Sequence, residues 1–294
     1  MIYTIYVISS TGYPFYSKKI EEIPKSVDLH LRFMDYSNTD NPTDHFAQGF
    51  ELFAGLISAL SEFSRLLGQD LELLKFRAHK RREDVDENGI RHIGNPYSPV
   101  DVPEDADALI NCQNERWLNP VAIEAKANLL FNKIVKKKLP LGPDKIIDGD
   151  EEEFLIDILS DKRAKDWLKP VKNELELTIS LLIEKYGSYG LDGIVITSFD
   201  YSIIDVYNLE HEMVVDLLRN IGRLPEVKTY NWKHRMGFAG SFQYNVYIVN
   251  SGTGISVGNV FMPYYYLLIC EPESFLGEIP QKIYEKINEV IDYE

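Results

Sequence analysis

Val7-Ile8-Ser9-Ser10-Thr11-Gly12-Tyr13, near the start of the chain, aligns without a gap to Val195-Ile196-Thr197-Ser198-Phe199-Asp200-Tyr201 past its middle. In each copy a β-branched apolar run meets turn-forming residues, the signature of a strand entering a hairpin. In the first copy 2–8 leads out, Ser9 to Gly12 turns and 13–20 returns. In the second, 194–199 leads out, Asp200 turns and 201–207 returns. Each hairpin is followed by an amphipathic helical pattern and then by further strand patterns. That order predicts an α+β protein of two α/β-layer units, each a five-stranded, mainly antiparallel sheet flanked by helices.

Working outward, Phe53, Leu56, Ile57, Leu60, Phe63 and Leu67 fall on one face of a helix over 47–67, which Gly68 ends. Strands are predicted at 71–78, at 90–93 after the Asn88-Gly89 turn, and at 108–112. Two helical stretches follow, at 121–138 and 151–167. Pro170 divides the chain into a first unit at 1–169, with a long loop at 83–120, and a second at 170–294. In the second unit Leu175, Ile179, Leu182, Ile183 and Tyr186 form one helical stripe, and Met213, Val214, Leu217, Leu218 and Ile221 form another. Strands are predicted at 243–249, 255–261 and 264–270. Ser274 is placed to cap a last helix carrying Leu276, Ile279, Ile283, Ile287 and Val290.

The chain has 294 residues, enough for about two domains, and its 45% hydrophobic content is that of a folded protein. A net charge of −15 opposes a phosphate backbone or anionic lipid, so nucleic-acid and membrane partners are not expected. Cys112 and Cys270 lie far apart in apolar settings and read as buried free thiols. The apolar N-terminus lacks a basic flank, so it reads as a strand rather than a signal peptide. No apolar run approaches the ~18 residues of a membrane span. A cytoplasmic location is expected.

The chemistry-bearing patterns read mostly as structure. Gly252-Thr253-Gly254, with Gly258 beyond, is followed by a strand rather than a helix N-terminus, which favours a hairpin turn over a nucleotide loop. Asp148, Asp150, Glu151, Glu152 and Glu153 could ligate a hard cation, but acidic residues also suit a helix start. His79 and His92 could meet across the Asn88-Gly89 hairpin. Lys80-Arg81-Arg82 is a compact basic run beside Glu83, Asp84, Asp86 and Glu87, and Lys136-Lys137-Lys138 suits a helix end. Tyr264-Tyr265-Tyr266 alternates faces in a strand, so at least one ring is expected at the surface unless a partner covers it. No catalytic residue, metal or cofactor is expected.

The hairpin at 2–20 and the helix core Phe53-Ala54-Gly55-Leu56-Ile57-Ser58-Ala59-Leu60 resemble a longin domain. The helix at 171–187, with Leu267-Leu268-Ile269-Cys270 leading to Leu276-Gly277 and the terminal helix, resembles a roadblock domain of the dynein light chain type. The first half departs from a plain longin domain at 83–120, where its loops are long. The resemblance implies a profilin-like architecture and a non-enzymatic scaffold or regulator. Its partners would be small GTPases, or other longin or roadblock proteins, in vesicle trafficking. A homodimer through sheet edges is the alternative, and an enzyme using a metal or nucleotide is a third reading. On the 47–67 helix, Glu51, Ala54, Gly55, Ser58, Glu62 and Arg65 lie opposite the core stripe, either as an approach surface for a partner helix or as a solvated face.

Overall fold

The computed structural model describes residues 1–9, 12–24, 27–36, 83–85, 91–93, 100–101, 103 and 106–292. Two antiparallel sheets and six α-helices dominate them. The first sheet contains β1 (Ile2–Ile8), β2 (Pro14–Lys19), β3 (His30–Asp35) and β7 (Leu109–Asn114), in the order β2-β1-β7-β3. Short strands β4 (Glu83–Val85), β5 (Arg91–Ile93) and β6 (Val100–Asp101) form a separate three-stranded sheet. The second large sheet contains β8 (Leu191–Thr197), β9 (Ile203–Tyr207), β10 (Trp232–Ala239), β11 (Phe242–Val257) and β12 (Val260–Cys270). Its order is β10-β11-β12-β8-β9.

The first sheet corrects the expected five strands to four among the described residues. Its fourth member, β3, escaped the sequence reading because an edge strand of mixed polarity, His30-Leu31-Arg32-Phe33-Met34-Asp35, lacks a clean apolar alternation. The expected strand near 90–93 belongs to the small sheet instead. The helix at 47–67 and the strand at 71–78 lie outside the described residues.

Among the described residues six α-helices pack against the sheets: α1 (Pro120–Lys133), α2 (Gly149–Leu159), α3 (Lys162–Leu168), α4 (Lys172–Tyr186), α5 (His211–Ile221) and α6 (Ile279–Ile291). The expected single helix at 151–167 is thus two helices, broken where Asp161 adopts a left-handed backbone with φ 57°. Asp148 caps α2, taking the Glu151 amide while the Glu151 side chain accepts from the Asp148 amide. Helix α6 begins at Ile279, so Ser274 does not cap it; its carbonyl instead accepts from Asn245 Nδ2 and the Tyr247 hydroxyl.

Helix α1 is buried almost all round: Ala122, Ile123, Ala125, Lys126, Ala127, Asn128, Leu129, Leu130 and Phe131 are all inside. Such a helix belongs at the centre of a core rather than on its surface. On the side of the first sheet, Phe131 stacks on Tyr36 with ring centroids 4.2 Å apart, and the Tyr36 hydroxyl donates to Asn128 Oδ1. On the side of the second sheet, Lys126 reaches the β8–β9 turn. One hydrophobic cluster therefore joins Ile5, Val7 and Ile110 of the first sheet through α1 to Val246, Leu267 and Ile269 of the second. A second cluster fills the other face of the second sheet, where Tyr247, Tyr266 and Leu268 meet α4 and α6. Ala164 and Leu168, before Pro170, pack in that cluster together with Leu175 and Ile179 beyond it.

Strand β12 is covered on both faces, and this overturns the expectation of an exposed tyrosine. Tyr264, Tyr265 and Tyr266 are all buried. Each hydroxyl has a partner: Tyr264 donates to the Ala164 carbonyl, Tyr266 to Asn288 Oδ1, and Tyr265 accepts from Asn250 Nδ2. The hairpin turn expected at Gly252 lies instead between Val257 and Val260; 250–254 is a bulge within the single long strand β11.

Candidate functional site

The most concentrated electrostatics lie at the seam between the two sheets. Lys126, in the middle of an Ala-rich buried helix, has no exposed surface. Its Nζ lies 2.8 Å from both Asp161 carboxylate oxygens and 2.6 Å from Asp200 Oδ2, so all three of its protons have acceptors. Asp200 is fixed in turn by its own hairpin, since Oδ1 accepts from the Ser198 hydroxyl and the Ser202 amide. The Asn119 amide donates to the Asp200 carbonyl, tying the start of α1 to the same turn. The break between α2 and α3 places Asp161 within reach of Lys126.

Two buried carboxylates share one ammonium, and their environments drive them apart. Burial and the neighbouring Asp200 charge push the Asp161 carboxyl up to about 6, against the pull of Lys126. Burial also opposes ionisation of Asp200, but Lys126 and the hydrogen bond from Ser202 outweigh it and hold that carboxyl below the ordinary range. For Lys126, burial is outweighed by the two carboxylates, and the ammonium stays above its usual value. Buried throughout, this triad acts as a clamp between elements rather than as a reaction centre.

A second link crosses the seam. Glu115, buried just past β7, accepts from the Tyr3 hydroxyl and from Arg219 of α5, whose Nη2 lies 2.7 Å away.

At the outer edge of the second sheet, Phe242 opens β11 at 69% exposed on the face of its β10 partner Ala239, while β10 presents Met236 and Phe238, 55% and 46% exposed, on the other face. Helix α5 packs on the face opposite Met236 and Phe238: a Cβ on Gly237 would strike Ile221 and Leu217. Lys233, His234 and Arg235 give the strand a basic stretch, whereas 241–270 contains no charged residue at all. Parts of the β10 backbone are occupied by side chains. Asn220 Oδ1 accepts from the Phe238 amide at 3.0 Å, and Arg235 donates to the His234 carbonyl.

The residues predicted for partner binding, Glu51, Ala54, Gly55, Ser58, Glu62 and Arg65, lie outside the described residues, as do His79 and Lys80-Arg81-Arg82. Gly252, with φ 74°, serves the β11 bulge, where a Cβ would collide with the Tyr230 ring. In the acidic run Glu152 pairs with Lys18 and Glu151 with Lys138, and no His, Cys, Asp or Glu group among the described residues is arranged to hold a metal. Cys112 and Cys270 are free and buried. The sequence reading took Asp200 as a turn residue and passed over Lys126; the available signal was one lysine inside Ala122-Ile123-Glu124-Ala125-Lys126-Ala127-Asn128-Leu129-Leu130-Phe131.

No protein-family model matches the chain, and no match emerges among curated proteins or solved structures. Among the described residues no helix is long and apolar enough to cross a membrane.

Proposed function

We propose that this chain is a protein-binding scaffold or regulator whose contact surface is the β10 side of the second sheet. The reading rests on Met236 and Phe238, two large apolar side chains exposed on one face of edge strand β10. Large apolar anchors with a polar surround are the usual energetic centre of an interface. Lys233, His234 and Arg235 lie in the same strand of a chain that is acidic overall. Their charge suits a partner face with an apolar centre and an acidic rim. Because Asn220 and Arg235 occupy backbone groups of β10, contact through side chains is favoured over strand-to-strand pairing with a second copy.

The strand order β10-β11-β12-β8-β9, with α5 between β9 and β10, supports the roadblock-like reading of this half and hence small GTPases as the partner class. Titration against small GTPases loaded with either nucleotide tests this. Binding in one or both states, weakened about tenfold or more by Phe238→Asp, is the expected result. Absence of binding in both states would sink the GTPase reading. Unchanged binding in Phe238→Asp would remove β10 as its surface.

A further inference from the structure

Arg32, Arg116 and Arg223 come from three separate elements and converge on the seam between the two sheets. Arg32 sits on the inward face of edge strand β3, directly opposite Cys112 of β7. Arg116 follows β7, and its Nε lies 3.4 Å from where a Cβ of Gly222 would stand. Gly222 ends α5, and Arg223 is the next residue. The Arg223 charge is felt at Arg32, and His30 feels Arg32 and Arg116 together with the opposing charges of Asp28 and Glu115.

This convergence runs against the chain's composition. Acidic residues outnumber Lys and Arg by 46 to 31, so a random basic cluster would find carboxylates nearby. Arg219, one turn earlier on α5, does find one in Glu115. None of the other three has an ion-pair or hydrogen-bond partner among the described residues, and Arg32 Nε is buried with no acceptor among them. Like charges gathered without a direct ion pair are unfavourable. A buried, unpaired guanidinium N–H adds the cost of a lost hydrogen bond. The position of α5 accounts for part of this, since its C-terminal carbonyls favour cations. It does not account for Arg32, which belongs to the other sheet.

We propose that this seam is a binding site for a small phosphate-bearing anion, held by Arg32, Arg116 and Arg223. Guanidinium forks match phosphate oxygens in paired hydrogen bonds, and three forks from three directions suit a multiply charged tetrahedral group. The half-buried setting of Arg32 demands a small group that enters the seam, not a flat macromolecular surface. Such a ligand would cross-link β3 to the end of α5 and so tighten the junction that Lys126 and Glu115 already hold. The inference is independent of the β10 docking surface.

The probes are inorganic phosphate and pyrophosphate, measured on the full chain by thermal unfolding and titration calorimetry. Sodium chloride at matched ionic strength is the control. Either phosphate should raise the unfolding midpoint above the chloride control and give a saturable single-site isotherm. Arg32→Gln and Arg223→Gln should each weaken that isotherm about tenfold or more. Arg223 is exposed, so its variant tests the site even if Arg32→Gln folds poorly. Without phosphate, Arg223→Gln should unfold no earlier than the parent chain, since it removes a repulsion rather than a contact. Equal midpoints in phosphate and chloride, or an isotherm indifferent to both substitutions, would overturn the proposal. Soluble inositol phosphates and phosphoinositide vesicles separate the two sources of the group. Binding of the former without co-sedimentation on the latter assigns a free anion, and co-sedimentation competed by phosphate assigns a lipid headgroup.

Discussion

The hairpins β1–β2 and β8–β9 are one structural device set in two surroundings. In the first, the Ser9 amide bonds the Tyr13 carbonyl and the Gly12 amide bonds the Ser9 carbonyl. In the second, the Ser198 amide bonds the Ser202 carbonyl and the Tyr201 amide bonds the Ser198 carbonyl. The left-handed position is Gly12 (φ 86°) in one and Tyr201 (φ 71°) in the other. The register slips at the same place, beside Ile8↔Pro14 and beside Thr197↔Ile203. The equivalent residues are therefore Ser9 and Ser198, Gly12 and Tyr201, one step away from the gapless sequence alignment that sets Ser9 against Thr197. One step matters, because in a strand it exchanges the two faces.

The surroundings differ in what each sheet buries. Strand β12 is apolar on both faces and lies between two hydrophobic clusters. Its counterpart β7 sets Asn111 and Gln113 on the face opposite Ile110 and Cys112 and ends on Asn114, all buried, and these polar side chains are only partly satisfied. Gln113 accepts from Thr4, while the Asn111 and Asn114 side-chain oxygens have no partner. The left-handed position is likewise held differently. Gly12 adopts φ > 0 with no Cβ to strain, whereas Tyr201 is held there by burial, a ring contact to Tyr265 and a hydrogen bond from its hydroxyl to the Pro225 carbonyl. The same turn is local chemistry in the first hairpin and tertiary packing in the second.

That contrast can be broken, and the largest effect should come from the clamp that anchors only the second hairpin. Lys126→Met leaves two buried carboxylates without a counter-charge and should cost about 3–5 kcal/mol in denaturant unfolding. A loss below about 1 kcal/mol would mean that the β8–β9 turn does not depend on α1. Asp200→Asn should follow at about 2–3 kcal/mol, because it removes the stronger charge-assisted acceptor of Lys126. Gly12→Ala should cost about 1–2 kcal/mol through backbone strain alone, measured the same way. A negligible change there would show that the first turn shifts to accommodate a Cβ.

Asp161→Asn should be the mildest change, about 1 kcal/mol or less near neutral pH, since Lys126 keeps Asp200. It also sharpens the pH behaviour. The folded Asp161 carboxyl holds its proton up to about pH 6, against an ordinary value of 3.8. Between those values the folded state binds a proton that the unfolded chain has released, so this group's contribution is present at low pH and lost as pH rises to about 6. Asp200 has the opposite sign, its contribution being present above the ordinary carboxylate range and lost on acidification. Unfolding midpoints across pH 4–7 should therefore lose a component that falls with rising pH in Asp161→Asn, whereas Asp200→Asn should only shrink it, because the Asp200 charge is one of its two causes. Identical profiles for the two variants would defeat the assignment.

Much of the fold was legible from local pattern. The 3.6-residue stripes Leu175-Ile179-Leu182-Tyr186 and Val214-Leu217-Leu218-Ile221 each marked a helix packed on one face, and both helices are present. The β-branched runs marked β1, β8 and β12. What local pattern missed shares one cause: the edge strands β3 and β10, and the burial of α1 and β12 on every side, depend on neighbours distant in sequence. A helix buried on all sides has no stripe, a strand covered twice shows no alternation, and an edge strand follows neither rule. The seam residues were illegible for the same reason. Asp200 reads as an ordinary turn aspartate until α1 brings Lys126 to it across 74 positions.

By itself, then, the sequence determined the α+β class, the paired hairpins, most helix positions and an acidic chain with buried thiols, because these depend on periodicity, turn chemistry and composition. Tertiary structure alone decided the one-residue offset between the hairpins, the break at Asp161, the burial of three consecutive tyrosines and the gathering of Lys126, Asp161 and Asp200. Each of these depends on burial in a shared core, where desolvation makes a distant charge or hydroxyl the decisive neighbour.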